Sequence, residues 1–285
     1  IKIIKKKINL SKNNLAVLVS NNCFSYILIY LTCLIYKTKI IILNENQFKY
    51  NLKKIIKKFE PDYIFTKIDI SSFKTIKYKR KKTYNEYFVF NFKNKKTTNI
   101  NPEISILLPT SGSTGAPKLA CISYENLIVN TGSIIEYLKI RKNSTTITSL
   151  SSSYSYGLSV INTHLFVGSK IVINKFSFLD AKFWKLFKTN KVNFLYTVPL
   201  MCEILFKNIK INNSLKQLKT LCCAGGHLDQ KIKRKILISL RKKNIFMMYG
   251  QTEASPRISY INISKNKKQI DSIGKAIKGG KLFFK

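Results

Sequence analysis

An α/β fold built on mainly parallel strands follows from three observations. Hydrophobic residues make up 45% of the 285-residue chain and aromatic residues 12%, enough to fill one large or two modest cores. Short apolar runs alternate with amphipathic stretches over residues 15–65 and again beyond residue 144, the pattern of a parallel sheet covered by helical crossovers. Three of the later apolar runs end in polar loops, and open α/β sheets bind ligands outside the carboxyl ends of their strands.

Taken in order, residues 15–19 predict a strand. Asn21 and Asn22 are positioned to cap a helix over residues 23–36, and residues 39–43 predict a second strand. A lysine-rich helix follows over residues 47–59, with Ile55, Ile56 and Phe59 on one face; Pro61 breaks it before a strand at 62–65. Residues 66–102 lack a clear period and read as a loop-rich connection with one strand at 87–92. A branched apolar run at 104–108 predicts a buried strand, and a second run occupies 119–122. Ser123 stands three residues before Asn126 and opens a helix through Leu127, Ile128 and Ile135. Later strands are expected at 145–150, 170–173, 192–198, 218–223 and 245–248. Helices are expected at 156–166, 178–189, 199–206 and 229–240.

Between the runs at 104–108 and 119–122 lies Thr110-Ser111-Gly112-Ser113-Thr114-Gly115-Ala116-Pro117-Lys118. Glycines let backbone N–H groups turn inward, hydroxyls add donors, and the lysine adds a point charge, which together make a phosphate cradle. A flexible linker fits the same composition equally well. The common nucleotide loop is excluded, because its glycine directly precedes the lysine and a Ser or Thr follows. Here Pro117 precedes Lys118 and Leu119 follows.

The net charge of +38 raises a nucleic-acid reading. Lysine supplies nearly all of it, and arginine occurs only at Arg80, Arg141, Arg234, Arg241 and Arg257. The lysines are spread over the chain rather than gathered in a stripe. Abundant Lys, Asn and Ile, all drawn from A/T-rich codons, fit compositional drift better than a dedicated polyanion interface. Six cysteines show no C-x-x-C spacing and only His164 and His227 accompany them, which argues against a zinc site or a disulfide framework. Their apolar surroundings predict buried, reduced thiols and hence a cytoplasmic protein. The most apolar run, residues 24–36, is too short to span a bilayer and lacks a signal-peptide cleavage site.

The three polar strand ends are Tyr196-Thr197-Val198-Pro199, Ala224-Gly225-Gly226-His227 and Tyr249-Gly250-Gln251-Thr252-Glu253. The paired glycines fit either a tight turn or close approach of a flat ligand, and His227 either a helix cap or a stacking partner. In the last segment Thr252 and Glu253 fit an ordinary helix start. They fit equally a phosphate contact and a Mg²⁺ ligand, with Tyr249 stacking on an aromatic ring.

Residues 110–118 closely resemble the phosphate loop of the adenylate-forming superfamily: acyl- and aryl-CoA synthetases, peptide-synthetase adenylation domains and luciferases. The segments at 224–227 and 249–253 resemble its next two signatures, in order and at similar distances. The resemblance spans residues 15–285 and implies two stacked, helix-covered, mainly parallel sheets. It implies a first α/β subdomain over 1–143, a second over 144–262, and the start of a barrel subdomain over 263–285. For the site it implies that Thr110, Ser111, Gly112, Ser113, Thr114, Gly115 and Lys118 hold the β,γ-phosphates of ATP. Gly225, Gly226 and His227 would lie along the adenine, with Tyr249 stacking on it beside Gly250 and Gln251. Thr252 would contact the α-phosphate and Glu253 would bind Mg²⁺, so Lys118, Thr252 and Glu253 are the catalytic candidates. Ser153-Tyr154-Ser155-Tyr156-Gly157-Leu158 resembles the segment gating the acid pocket, which makes Tyr154, Ser155, Tyr156 and Gly157 pocket candidates. Many family members carry a histidine where Ser155 stands.

The implied activity is AMP-forming activation of a carboxylic acid, with transfer to CoA or a carrier-protein phosphopantetheine. A chain that begins at Ile1 and stops at Lys285 is expected to be an N-terminal part of such a ligase. The resemblance puts the ribose-binding aspartate, the hinge and a C-terminal domain with a catalytic lysine beyond it, so these residues alone are expected to bind ATP weakly and catalyse poorly. A truncated or degenerate homologue that binds nucleotide without chemistry, and a basic nucleic-acid-binding protein, are the readings from other classes.

Overall fold

The computed structural model describes residues 8–72, 76–92, 100–110, 118–207 and 213–283. Two compact units divide the chain, Ile1–Leu127 and Ile128–Lys285.

In the first unit the strands are β1 (Leu15–Val19), β2 (Lys39–Leu43), β3 (Tyr63–Thr66), β4 (Arg80–Tyr84), β5 (Tyr87–Asn91), β6 (Ile104–Pro109) and β7 (Leu119–Ser123). They form one sheet in the order β4-β5-β3-β1-β2-β6-β7. The central four, β3, β1, β2 and β6, are parallel, and antiparallel strands flank them on both sides. Strand periodicity sends Leu15, Val17, Val19, Ile41, Leu43 and Ile64 to one face. There they bury against Phe48, Leu52 and Ile55 of a helix at Glu45–Phe59, α2. An earlier helix, α1 (Phe24–Ile35), precedes β2.

Helix α1 has Cys23 at its N-cap with no side-chain cap, so neither Asn21 nor Asn22 plays the expected part. A turn closed by the Cys23 N–H on the Asn21 carbonyl (2.9 Å) leaves both asparagines upstream of the cap position. Helix α2 instead starts two residues before the predicted point, because Asn44 and Gln47 make a capping box. Asn44 Oδ1 accepts the Gln47 N–H at 2.7 Å, and Gln47 Oε1 accepts the Asn44 N–H at 3.0 Å. Asn44→Ala is expected to cost about 1 kcal/mol, read as a lower urea midpoint; an unchanged midpoint would show that the cap is energetically silent.

The loop-rich connection holds a second strand that the sequence did not reveal. Strand β4 reads Arg-Lys-Lys-Thr-Tyr and is exposed, so no apolar alternation announces it. It pairs with β5 through a turn in which Asn85 takes φ 48°, a conformation asparagine tolerates better than most residues.

In the second unit the strands are β8 (Thr145–Ile147), β9 (Lys170–Val172), β10 (Phe194–Thr197), β11 (Thr220–Cys223), β12 (Asn244–Tyr249), β13 (Ser259–Asn262) and β14 (Lys275–Ala276). Their order is β14-β13-β12-β11-β10-β8-β9. Strands β8 to β12 are parallel, and β13 and β14 add an antiparallel edge that the alternation did not predict. The helices are α3 (Tyr124–Leu138), whose first four residues belong to the first unit, α4 (Ser155–Phe166), α5 (Ala181–Thr189), α6 (Pro199–Lys207) and α7 (Gln230–Ser239). Helix α3 opens as expected, with the Asn126 N–H donating to Ser123 Oγ at 3.0 Å.

Alternation along the central strands divides the second core in two. Leu195, Leu221, Ile245 and Met247 meet Phe183 and Phe187 of α5, Cys202 and Leu205 of α6, and Ile232 and Ile236 of α7. Phe194, Tyr196, Cys222, Phe246 and Met248 turn the other way, onto Ile134 and Leu138 of α3 and Val160 of α4. This second face carries Tyr137, Tyr156 and Tyr260 as well, and it adjoins the candidate site.

All six cysteines are free; Cys33, Cys202, Cys222 and Cys223 are buried, as expected, and Cys23 is half-buried. Cys121 is exposed, against expectation, because it takes the outward position on the edge strand β7. No helix among the described residues is long and apolar enough to cross a membrane.

Candidate active site

Strands β10, β11 and β12 are adjacent and parallel, so their carboxyl ends emerge side by side. The first two ends are tied by the Ala224 N–H, which donates to the Thr197 carbonyl at 3.2 Å. Gly225 takes φ +91°, a conformation that side chains strain to adopt, and a Cβ at Gly226 would come within 3.4 Å of Pro199 Cγ. Gly225, Gly226 and His227 are all exposed, leaving a bare backbone shelf beside the strand ends. The cap of α7 is Asp229, whose Oδ1 accepts the Lys231 N–H at 2.7 Å. His227 is therefore not the helix cap.

Tyr249 ends β12 and is 41% exposed, and Gln251 Nε2 donates to its hydroxyl at 2.9 Å. Gly250 packs so closely that a Cβ would lie 2.1 Å from the Pro256 carbonyl oxygen. Thr252–Ala254 forms a short 3-10 turn capped by Gln251 without a side-chain bond, so Thr252 does not serve as the N-cap. Its hydroxyl lies instead 3.3 Å from Ser155 Oγ. The predicted acid-gating segment and the predicted α-phosphate residue thus meet.

Tyr154 is the N-cap residue of α4 and is 56% exposed. Gly157 sits under the preceding turn, where a Cβ would come 2.1 Å from the Ser151 carbonyl oxygen. The Tyr156 hydroxyl donates to the Cys222 carbonyl at 3.2 Å, anchoring α4 to the sheet. Burial pushes the hydroxyls of Tyr156 and Tyr196 well above the ordinary tyrosine value, so both are neutral phenols. Nearby, His164 is fully buried between Ser169 Oγ (2.6 Å from Nδ1) and the Tyr196 hydroxyl (3.1 Å from Nε2). The Ser169 hydroxyl donates to the His164 carbonyl at 3.2 Å. Its oxygen is then the acceptor for Nδ1–H, and Tyr196 donates to Nε2, which fixes a neutral imidazole.

In the first unit the Thr110 N–H donates to the Lys118 carbonyl at 3.0 Å, closing the base of the β6–β7 hairpin. Lys118 is exposed at the start of β7. Ser111, Gly112, Ser113, Thr114 and Gly115 lie outside the described residues.

Glu253 is exposed and forms no ion pair or side-chain hydrogen bond among the described residues. No group of three His, Cys, Asp or Glu side chains is assembled among them either. One free carboxylate with open space suits Mg²⁺, which prefers one or two carboxylates plus substrate phosphates to an all-protein cage. The donor set therefore fits that ion.

Arg257 escaped the sequence reading. It is 1% exposed, with its guanidinium 4.1 Å from the centre of the Tyr156 ring. The only available signal was its rarity, as one of five arginines in a lysine-rich chain.

D-alanine–D-alanyl carrier protein ligase of Lactococcus lactis is 28% identical over 166 residues, which are 56% of this chain and 32% of that protein. Probable 4-coumarate–CoA ligase 3 of Dictyostelium discoideum is 30% identical over 164 residues, 55% of this chain and 29% of that one. The matched segments thus span about a third of either relative. Among solved structures, VinN in complex with L-aspartate superposes with a TM-score of 0.79 at 17% identity, covering 97% of this chain and 73% of VinN. That likeness shows the fold. The profile described as AMP-binding enzyme matches residues 4–282, nearly the entire sequence, and the chain accordingly belongs to the AMP-binding enzyme family.

Proposed function

We propose that this chain carries the nucleotide- and acid-binding part of an ATP-dependent, AMP-forming acid–thiol ligase. One observation carries the reading. Thr252 meets Ser155 at 3.3 Å beside the joined ends of β10, β11 and β12, so the α-phosphate candidate and the acid-pocket candidate border one space.

In this reading the bare Gly225–Gly226 backbone and the Tyr249 ring receive the adenine, and Thr252 donates to the α-phosphate. Lys118 and the hydroxyl-rich loop from Thr110 hold the β,γ-phosphates. Glu253 holds Mg²⁺, which supplies positive charge against the triphosphate. A carboxylate oxygen of the acid forms a bond to the α-phosphorus while the bond to the bridging oxygen of pyrophosphate breaks. Two anions must approach for that step, so charge neutralisation and alignment are what the site has to provide. No covalent nucleophile of the protein is required. The acyl group then passes to a thiol as AMP leaves. The matched relatives are named for a carrier protein and for CoA, which supports the thiol of CoA or of a carrier-protein phosphopantetheine as acceptor. A subdomain boundary near residue 143 and the start of a further subdomain after residue 262 belong to the same proposal.

Acid-dependent exchange of pyrophosphate into ATP by the intact natural protein tests the reading. Lys118→Ala and Glu253→Ala are each expected to lower exchange by about 10²–10³. Equal exchange in wild type and both variants would sink the site assignment. ATP binding without exchange for any acid would favour a homologue that has lost its chemistry.

A further inference from the structure

Among the described residues no counter-charge answers the buried guanidinium of Arg257. Nη1 donates to the adjacent Pro256 carbonyl at 2.8 Å; Nε and Nη2 are buried and form no hydrogen bond of good geometry among the described residues. Among the described residues no carboxylate pairs with it. A buried charge left without a counter-charge or hydrogen bonds is among the least favourable arrangements in a folded protein.

Its neighbours do not supply the missing charge. Tyr156 lies beneath the guanidinium, the Tyr137 hydroxyl is within hydrogen-bonding reach of it, and Tyr196 and Cys222 are close enough to feel its field. Burial pushes all four of these hydroxyl and thiol groups upward, so each is neutral. Asn130 holds the Arg257 carbonyl through Nδ2 at 3.0 Å, and its own Oδ1 has no partner among the described residues. The Ile258 N–H donates to the Tyr249 carbonyl at 2.9 Å. That bond folds residues 250–257 back beneath the end of β12 and presses Gly250 against Pro256 and Arg257. The cation is therefore built in, on the same face of the sheet as α4 and its predicted acid-gating turn.

We propose that Arg257 is a specificity-determining residue of the acid pocket, and that it selects carboxylic acids bearing a second carboxylate remote from the reacting one. This rests on the reading that Tyr154, Ser155, Tyr156 and Gly157 border the acid. The two donors Nε–H and Nη2–H lie along one edge of the guanidinium, the edge that grips a carboxylate with two parallel hydrogen bonds. The reacting carboxylate is the wrong occupant, because a bidentate clamp would stabilise the nucleophile in its ground state and slow its attack. That carboxylate belongs at the Ser155–Thr252 contact; the second belongs at Arg257, across the Tyr156 ring.

Direct binding and exchange test the proposal together. Calorimetry on the purified protein compares succinate, glutarate and adipate with butyrate, valerate and hexanoate, and Mg·ATP is titrated separately. At least one diacid is expected to bind about tenfold or more tightly than its matched monoacid, with the same order in pyrophosphate exchange by the intact protein. Arg257→Met is expected to abolish the preference and leave Mg·ATP binding unchanged, and Arg257→Lys to keep part of it. The melting temperature of Arg257→Met without ligand is expected to equal or exceed that of wild type, since an unanswered buried charge is gone. A cation needed only for stacking on Tyr156 would instead lower it. Diacids that bind no better than monoacids, or a preference that survives Arg257→Met, would overturn the proposal even if Mg·ATP binds. Absent Mg·ATP binding alongside an Arg257-dependent diacid preference would overturn the ligase reading and leave this one standing.

Discussion

Gly157→Ala should destabilise the second unit by about 3 kcal/mol or more, although helix propensity alone gives the opposite sign. Alanine is better than glycine inside a helix by about 1 kcal/mol, and Gly157 lies in the first turn of α4. The deciding fact is the environment. A Cβ there would stand 2.1 Å from the Ser151 carbonyl oxygen and 2.6 Å from its carbon. Backbone cannot move aside as the end of a flexible side chain can, so either the 150–151 turn shifts or α4 tilts. A tilt would also strain the Tyr156 hydroxyl on the Cys222 carbonyl and the Ser155–Thr252 contact. The same variant should therefore weaken nucleotide binding together with stability. A urea midpoint at or above that of wild type would show that propensity outweighs the contact.

Acid should destabilise this protein well before its carboxylates protonate, through His164. Burial pushes the imidazole from an ordinary value of 6.5 down to about 3. Between those values the unfolded chain binds a proton that the folded chain refuses, so stability falls as pH falls. The contribution is whole above pH 6.5, and each unit below it removes about 1.4 kcal/mol. From pH 6.5 to 4.5 the loss is about 2–3 kcal/mol. Asp69 and Asp271, held low by hydrogen bonds from Lys81 and Lys233, lose their contributions only at lower pH. The window above pH 4.5 thus belongs to the histidine. Urea midpoints at pH 7.0, 5.5 and 4.5 should fall in wild type and stay nearly level in His164→Gln. Parallel slopes in the two proteins would refute the assignment.

Both predictions rest on features that sequence reasoning handled unequally. The parallel strands were legible because branched apolar runs such as Leu15–Val19 and Lys39–Leu43 are buried on both faces and need no polar alternation. Strand β4 was not legible, because an edge strand exposed along its first four residues carries no apolar signal. Antiparallel β13 and β14 were missed for a related reason, since Lys275–Ala276 is too short to show a period. At the site, Gly225, Gly226, Tyr249 and Thr252 stood out by composition at strand ends. Arg257 did not, because burial of a charge depends on what folds over it. Likewise the Asn21–Asn22 pair looked like a cap until the turn at Cys23 displaced it.

The edge formed by β4 has a consequence for how copies of this protein behave in concentrated solution. An open sheet edge offers unpaired backbone groups to any similar strand. Here Arg80, Lys81 and Lys82 line that edge, all exposed, with Lys81 paired to Asp69. Two copies joining through it would bring cationic side chains opposite one another before their backbones could bond. This basic strand thereby guards the sheet against fibre-like self-association, and the guard should weaken as salt screens the charges.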